Sequence, residues 1–434
     1  MDLQGDGEQV ERFTAYLGEL ASVIGHVDRI GPLRDYCTGL LLPAERKSVE
    51  PMAAMTAPAG TAAQHQSLLH FVGKGNWSDE KLLEKVREIV LPKIVALGPI
   101  SAWIIDDTSF PKKGKHSVGV ARQYCGQLGK QDNCQVAVSL SLANAHASLP
   151  VAYCMYLPEV WVEDNERREK AGVPEDIVFK TKPEIALDQL KWACEAGLPR
   201  GVVLIDGGYG VNTDLRNGIS ALGLLYAVGI GPGTTVWAAG MAPLPPKAYS
   251  GRGRRPTRPV RDKDHQPVSV ETLALALPQT NWQSITWREG TNTSLTSRFA
   301  RVRVRAAHDQ KLPIDQIPEE WLVIERSEDE TEPTKYWFST LAETIGFEEL
   351  VGMIKLRWRI ERDYLELKQE VGLGHYEGRG WRGFHHHATL CIASYGFLIM
   401  EKADFPPSGS RPRLFGAQST VPDSYRPRGA AAPP

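Results

Sequence analysis

Three acidic residues, far apart in the chain, occupy segments that could bring them together. Asp107 ends the apolar run AWIIDD, Asp206 ends the run GVVLID, and Glu361 lies in the helical segment RWRIERDYLELK. Carboxylate oxygens suit Mg²⁺, and a pair of such ions can activate a water or a 3′-hydroxyl for in-line phosphoryl transfer. Taken singly, an aspartate at a strand end is more often a turn residue or a helix cap. Whether the three acids form a metal site must therefore be judged from the residues around Glu361.

Basic residues flank Glu361 at helical spacings. Arg357 precedes it by four positions and Lys368 follows it by seven, so all three can share one face of a helix. Arg and Lys in these places could contact DNA phosphates, whose neutralisation dominates the affinity of proteins for DNA. The alternative is an ordinary solvated helix face with an Arg–Glu ion pair, and the spacing alone does not separate the two.

The composition excludes several classes of protein. Of the 434 residues, 42% are hydrophobic and 24% are charged, as in an ordinary globular protein. No apolar run reaches the roughly 18 residues that a membrane span needs, and the acidic N-terminus does not resemble a signal peptide. The six cysteines are scattered without a CxxC pair, which argues against a zinc site or a disulfide framework. We therefore expect a cytoplasmic protein without membrane contacts.

The distribution of charge is more informative than its total. A net charge of −2 does not indicate a nucleic-acid-binding protein, but one stretch carries seven basic residues against two acidic ones. Within this stretch, which runs from Lys247 to Asp264, we interpret GRGRRPTRPVR, residues 251–261, as a DNA-contacting loop, the alternative being the solvated tip of an insertion. The basic residues of the whole stretch are Lys247, Arg252, Arg254, Arg255, Arg258, Arg261 and Lys263.

Hydrophobic periodicity predicts the elements that must position these side chains. We expect a helical domain at 1–95 that could bind DNA, with a flexible linker at 51–64 and a helix that Ser78 caps. Residues 96–232 predict the order β-β-β-α-β-α-β, a mixed sheet with helices. A β-rich basic insertion follows at 233–342, then C-terminal core helices at 343–402, including one long helix over 346–373. The tail, 403–434, is predicted to be disordered.

Three consecutive histidines, His385 to His387, begin the second helix of this C-terminal part. Consecutive helical residues point in different directions, so these side chains cannot chelate one ion together. We expect them to start the helix and to face DNA.

The motifs around the acids resemble a known family. Arg357-Trp358-Arg359-Ile360-Glu361, followed by Lys368, is similar to the third catalytic block of DDE insertion-sequence transposases, in the branch with a Tyr-Arg-Glu-Lys signature. The segments IIDDTSF and VLIDGGYG resemble the first and second blocks, and HSVGVARQYCGQLGKQDNCQVAVSLSLA resembles the DDE superfamily endonuclease domain. The resemblance covers roughly residues 65 to 400, with the acids 99 and 155 residues apart.

The resemblance implies a ribonuclease H-like α/β fold: a mixed sheet with flanking helices and a β-rich insertion before the last catalytic helix. It implies a transposase that cleaves transposon ends and joins them to target DNA. Asp107, Asp206 and Glu361 would bind Mg²⁺, which Mn²⁺ could replace, and Arg357 and Lys368 would contact DNA ends. The implied partner is double-stranded DNA, bound by a homodimer in a nucleoid-associated complex.

At two places the residues of the family's motif cannot be carried over directly to this sequence. Ile354 stands where the branch has its tyrosine, three positions before Arg357, and isoleucine cannot donate a hydrogen bond to a phosphate. Asp106 and Asp107 are adjacent, and side chains alternate along a strand, so only one of them can face a given site. The family's acid directly precedes a threonine, and Thr108 therefore selects Asp107.

Two other functions compete with an active transposase. One is an inactive relic or regulator that binds transposon ends without cutting them; the presence of all three acids argues against it. The other is a glycosidase with two catalytic carboxylates, which predicts an aromatic sugar-binding cleft and no basic strips. The RWRIE block and the arginine-rich stretch disfavour the glycosidase.

Overall fold

The computed structural model describes residues 3–253, 260–289, 294–307 and 317–405. These residues form a mixed α/β structure in which helices flank a large mixed sheet, as the sequence predicts. The N-terminal part is helical, and its helices are α1 (Leu3–Ala21), α2 (Ile30–Leu41), α3 (Val49–Thr56), α4 (Thr61–Gly73) and α5 (Asp79–Leu97).

The ends of these helices test two predictions. The Ser78 side chain accepts a hydrogen bond from the Lys81 amide, which confirms the predicted cap of α5. The predicted linker at 51–64 is wrong, because α3 and α4 occupy most of it. Its small residues permit tight packing instead of flexibility: Met52 is fully buried, and a Cβ on Gly39 would come within 2.8 Å of its side chain.

The first half of the sheet consists of four consecutive strands followed by two strands that helices separate. It contains β1 (Ala102–Pro111), β2 (Ala121–Cys125), β3 (Lys130–Ala143), β4 (Ser148–Tyr156), β5 (Val202–Ile205) and β6 (Tyr226–Ile230). The helices between β4 and β6 are α6 (Glu159–Val162), α7 (Asn165–Ala171), α8 (Lys182–Glu195), α9 (Gly207–Gly210) and α10 (Thr213–Ala221). The sequence predicts all of these strands except β4.

The second half extends the same sheet. It contains β7 (Thr235–Ala238), β8 (Val268–Ser269), α11 (Val270–Leu275), β9 (Gln283–Glu289), β10 (Ser294–Ala306), β11 (Glu320–Arg326) and β12 (Lys335–Ser339). Within the described residues the strand order is β2-β3-β1-β5-β6-β12-β11-β10-β7-β8, with β4 beside β3 and β9 beside β10. The predicted insertion thus continues the sheet from β6 through β12, while the division into domains stays a prediction.

The C-terminal part returns to the core as three helices. These are α12 (Phe347–Lys355), α13 (Trp358–Glu366) and α14 (Trp381–Asp404), and a π-helical segment, Leu367–Val371, follows α13. The long helix predicted over 346–373 is therefore broken near Leu356 and widened after Glu366. Most of α14 is buried, and it packs against α5 and β4. Among the described residues we find no helix with both the length and the hydropathy that a bilayer crossing requires.

Candidate active site

The register of the central strands places two acids on one face of the sheet. Strands β1 and β5 run parallel with Ile104 opposite Leu204, and continuing this register by two residues sets Asp106 beside Asp206. Residues opposite each other in neighbouring strands point to the same face. Asp206 directly follows β5 and caps the short helix α9, where its Oδ1 accepts a hydrogen bond from the Gly208 amide at 3.0 Å.

Helix α13 adds Glu361 to this face through Arg357. The Arg357 Nη1 lies 3.2 Å from Asp106 Oδ2, and its Nη2 lies 3.3 Å from Glu361 Oε1. The Asp106 side chain is 15% exposed, whereas that of Glu361 is 67% exposed. We call Asp106, Asp206 and Glu361 the carboxylate cluster; it surrounds one guanidinium group.

Asp107 points away from the carboxylate cluster. Its Oδ2 lies 2.7 Å from Lys182 Nζ and accepts a hydrogen bond from the Tyr209 hydroxyl at 3.0 Å. Lys182 is the first residue of α8, and Tyr209 lies in α9. The structure therefore separates the two β1 acids and gives Asp107 its own partners. The assignment of Asp107 to a metal stays a prediction.

Burial makes Asp106 unusual among these acids. Loss of solvent raises the pKa of its carboxyl to about 7, and the neighbouring Asp206 and Asp107 carboxylates raise it further, against the opposing effect of Arg357. In the described part of the chain, Asp206 has no ion-pair partner. Negative charge therefore exceeds nearby positive charge on this face.

A cleft of about 330 Å³ opens beside the cluster. Asp206, Glu361 and Arg357 line it together with Ile354, the residue that replaces the branch's tyrosine. Lys355, on the same wall, forms a buried ion pair of 2.6 Å with Glu325. The aromatic side chains on its remaining wall include Trp287, Trp337 and Trp358. The cleft thus joins carboxylates to a surface on which flat groups could pack.

The oxygen donors of the carboxylate cluster suit Mg²⁺, but their arrangement in this structure does not yet form an ion site. All of the cluster's donors are carboxylate oxygens, which Mg²⁺ prefers. Within the described ranges, however, no three His, Cys, Asp or Glu side chains stand close enough to hold one ion. Arg357 occupies the space between Asp106 and Glu361 and supplies the positive charge there. The residues fit a divalent ion if the guanidinium shifts.

The residues predicted to contact DNA differ in their surroundings. Arg357 is engaged by carboxylates, and Lys368 lies in the π-helical segment, where its Nζ donates to the Ser109 carbonyl at 3.0 Å. Burial lowers the pKa of Lys368 to about 8. Arg252 is exposed, whereas Arg254, Arg255 and Arg258 fall outside the described residues. All six remain predicted DNA contacts.

The expectation that the three histidines face DNA is wrong. His385, His386 and His387, which we call the histidine cluster, lie in α14 with ring atoms directed at buried partners. His386 stacks on Trp77 at 3.6 Å, and its Nδ1 lies 3.0 Å from the Val72 carbonyl oxygen. Burial lowers the pKa of all three imidazoles to about 4. They begin a helix, as predicted, but that helix crosses the core.

Sequence reasoning missed Lys182 and Tyr209 as neighbours of the acids. Lys182 belongs to an ordinary helix start, TKPE, whose Thr181 and Glu184 form a capping box. Tyr209 lies in the motif IDGGYG beside Asp206, and that nearness was its one visible signal.

The comparisons with known proteins agree with the motifs. The family model described as DDE superfamily endonuclease matches residues 19–294, which include Asp107 and Asp206 but not Glu361. A "Probable transposase for insertion sequence element IS701" from Microchaete diplosiphon is 31% identical over 184 residues. That alignment covers 42% of this chain and 43% of the relative, so the chain spans less than half of the relative's length. Because the family model matches more than half of the chain, the resemblance is confirmed, and the protein belongs to the DDE superfamily endonuclease family.

Proposed function

We propose that this protein is a DNA transposase that cleaves transposon ends and joins them to target DNA by metal-dependent phosphoryl transfer. The observation that carries the proposal is the convergence of Asp106, Asp206 and Glu361 on one face of the sheet, around Arg357. Family membership and the name of the relative support the same reaction class. The β1-β5-β6 arrangement, with α13 carrying the glutamate, agrees with the implied ribonuclease H-like fold.

The proposed metal ligands are Asp206, Glu361 and one β1 acid. The motif favours Asp107, but the register and the Arg357 ion pair favour Asp106. Bound Mg²⁺, or Mn²⁺ in its place, would lower the pKa of an attacking water and stabilise the leaving oxygen. The chain's own part is to hold the carboxylates on β1, after β5 and on α13, and to supply Arg357, which partly offsets their negative charge before an ion binds.

The DNA partner follows from the same reaction. Phosphate contacts are proposed for Arg357, Lys368, Arg252, Arg254, Arg255 and Arg258, because Arg and Lys supply most of the affinity for a phosphate backbone. We further propose that the protein acts in the cytoplasm, on the nucleoid, as a homodimer that pairs two DNA ends. The inactive relic, for which only Ile354 and the Pro-rich tail argue, is not favoured, since the acids it should have lost are present.

A strand-cleavage assay tests the proposal. The substrate is DNA carrying the inverted repeats that border the coding region, incubated with Mg²⁺, Mn²⁺ or a chelator. We expect Asp206→Ala and Glu361→Ala to abolish cleavage and to leave DNA binding largely intact, because they remove metal ligands and no phosphate contact. Asp188→Ala, which removes an exposed partner of Lys180, is the matched control. Either cluster variant cutting at the wild-type rate would refute the metal assignment.

A further inference from the structure

Asp107 and its two partners form a connection between β1, α8 and α9 that lies outside the carboxylate cluster. We propose that Asp107, Lys182 and Tyr209 form a positioning device that fixes the turn carrying Asp206, so that Asp107 acts on the site through Tyr209. This inference rests on the proposed function, because a positioned Asp206 matters only if Asp206 binds metal. It adds to the proposed function by assigning different roles to the adjacent acids: Asp106 belongs to the carboxylate cluster, and Asp107 positions Asp206.

The first step is the covalent and hydrogen-bonded link from Tyr209 to Asp206. Helix α9 spans only Gly207–Gly210, and Asp206 is its N-cap. The Tyr209 amide donates to the Asp206 carbonyl at 3.3 Å, and the Gly210 amide donates to the same oxygen at 3.1 Å. A shift of the Tyr209 side chain therefore moves the backbone that aims the Asp206 carboxylate.

The second step is that α9 has little freedom on its other side. A Cβ on Gly210 would lie 1.9 Å from the Gly229 carbonyl oxygen, and a Cβ on Gly229 would lie 2.7 Å from the Gly207 amide nitrogen. The turn and β6 therefore meet backbone to backbone. Glycine contacts hold α9 on the β6 side, and the Tyr209–Asp107 hydrogen bond holds it on the β1 side.

The third step is electrostatic. Tyr209 is 3% exposed, and its hydroxyl donates to the Asp107 carboxylate at 3.0 Å. Lys182 lies 2.7 Å from the same carboxylate oxygen. The Lys182 ammonium group and the Tyr209 hydroxyl therefore meet at one oxygen of Asp107, and hydrogen bonds that involve charged groups are the strong ones. Outer hydrogen bonds of this kind commonly orient metal-binding carboxylates.

Tyr209→Phe is the central test, because it removes one hydroxyl and keeps the ring. Tyr16→Phe is the matched control: the buried Tyr16 hydroxyl donates to the Ala393 carbonyl, far from the acids. Lys182→Met removes the cation, and Lys180→Met, from an exposed pair, controls for it. Each purified protein is measured for Mn²⁺ affinity by calorimetry, for amide hydrogen exchange at 207–210, and for kcat and KM of cleavage.

We expect Tyr209→Phe to speed amide exchange at 207–210 and to weaken Mn²⁺ binding by about tenfold. Its kcat should fall while KM for DNA stays unchanged, and Lys182→Met should show the same pattern. Both controls should match wild type. Wild-type exchange in Tyr209→Phe would overturn the inference, even for a protein that binds no metal. Loss of all Mn²⁺ binding in Asp107→Asn, with Asp106→Asn unaffected, would overturn it by making Asp107 a ligand.

The failure of the proposed function is separately visible. Wild-type protein that neither binds Mn²⁺ nor cuts end DNA would refute the transposase proposal. Hydrogen exchange needs neither metal nor DNA, so it still decides whether Asp107 and Tyr209 hold the turn.

Discussion

Two polar clusters in this protein contain buried titratable side chains, and burial shifts the pKa values of those side chains in opposite directions. In the histidine cluster, burial lowers the pKa values and favours neutral rings, and each ring has a backbone carbonyl oxygen nearby, such as that of Gly372 at 3.1 Å from His387 Nε2. In the carboxylate cluster, Asp106 and Glu361 share one guanidinium group, and Asp206 lies close enough to raise the pKa of Asp106.

The histidine cluster therefore has the character of a packed core, whereas the carboxylate cluster has the character of a binding site. Neutral imidazoles that have hydrogen-bond partners require no further ligand, so packing in the core accounts for the histidine cluster. Acids gathered around one cation retain an excess of negative charge, which a protein tolerates at a cost in stability. A cluster of the second kind is where a cation from solution would be expected to bind.

Replacing a histidine of the first cluster should have the largest effect on stability. His386→Ala leaves a cavity under Trp77 and removes a buried hydrogen bond, so we expect a loss of about 3 kcal/mol at pH 7.5 in urea denaturation. The folded-state pKa is lowered to about 4. Stability from the neutral ring is therefore complete above the ordinary histidine pKa and is lost as pH falls toward 4. The loss caused by the substitution should shrink accordingly at pH 5.

The control for this prediction is His146→Ala, because His146 is exposed. It should leave the unfolding free energy nearly unchanged. An equally small effect for His386→Ala would mean that the histidine cluster does not stabilise the core. The contrast drawn between the histidine cluster and the carboxylate cluster would then be wrong.

A smaller effect of opposite sign is expected in the carboxylate cluster. Because burial raises the pKa of Asp106 to about 7, the folded state gains stability from the protonated form. That stability is complete below the unfolded pKa and is lost as pH rises through 7. Asp106→Asn, which mimics the neutral form, should therefore add on the order of 1 kcal/mol at pH 8 and nothing near pH 4.

The measurement is the unfolding free energy from pH 4 to pH 8 without divalent ions, with Asp188→Asn as an exposed control. A destabilising effect of Asp106→Asn at pH 8 would show that the Arg357 ion pair outweighs the charge excess. The contrast between the two clusters would then lose its electrostatic basis.

The smallest expected effect concerns Lys368, a cation beside the carboxylate cluster. If it meets a phosphate, Lys368→Ala should reduce the log–log salt slope of end-DNA binding by about one. Because burial lowers its pKa to about 8, the effect should hold at pH 7 and fade above pH 8 as the amine loses its charge. Lys402→Ala, which alters an exposed ion pair with Glu366, is the control. An unchanged slope at pH 7 would remove Lys368 from the contacts.

Local chemistry made much of the fold predictable. The Ser78 cap, the buried strand before Asp206 and the alternating strand Ser294–Ala306 follow from residue type and spacing. Strand β4 was missed because Pro150 interrupts it, and the structure accommodates this proline at an irregularity of the β3–β4 register. The break between α12 and α13 left no comparable signal in the sequence.

The site was predictable in its acids but not in their partners. Asp206 and Glu361 line one cleft, as expected from a strand end and a helix. Which β1 acid faces them depends on the absolute register of β1 against β5, and alternation along the strand cannot supply that. The same holds for Lys182, which reaches Asp107 across 75 residues of sequence.

The contact between α14 and α5 has a consequence for synthesis of the chain. Tyr16 donates to Ala393, and Arg12 pairs with Glu401 at 2.8 Å, so the first helices complete their packing only against the last one. Pairing over such distances in sequence makes folding slow and cooperative. Synthesis must therefore proceed past residue 401 before α1 can complete these contacts with α14.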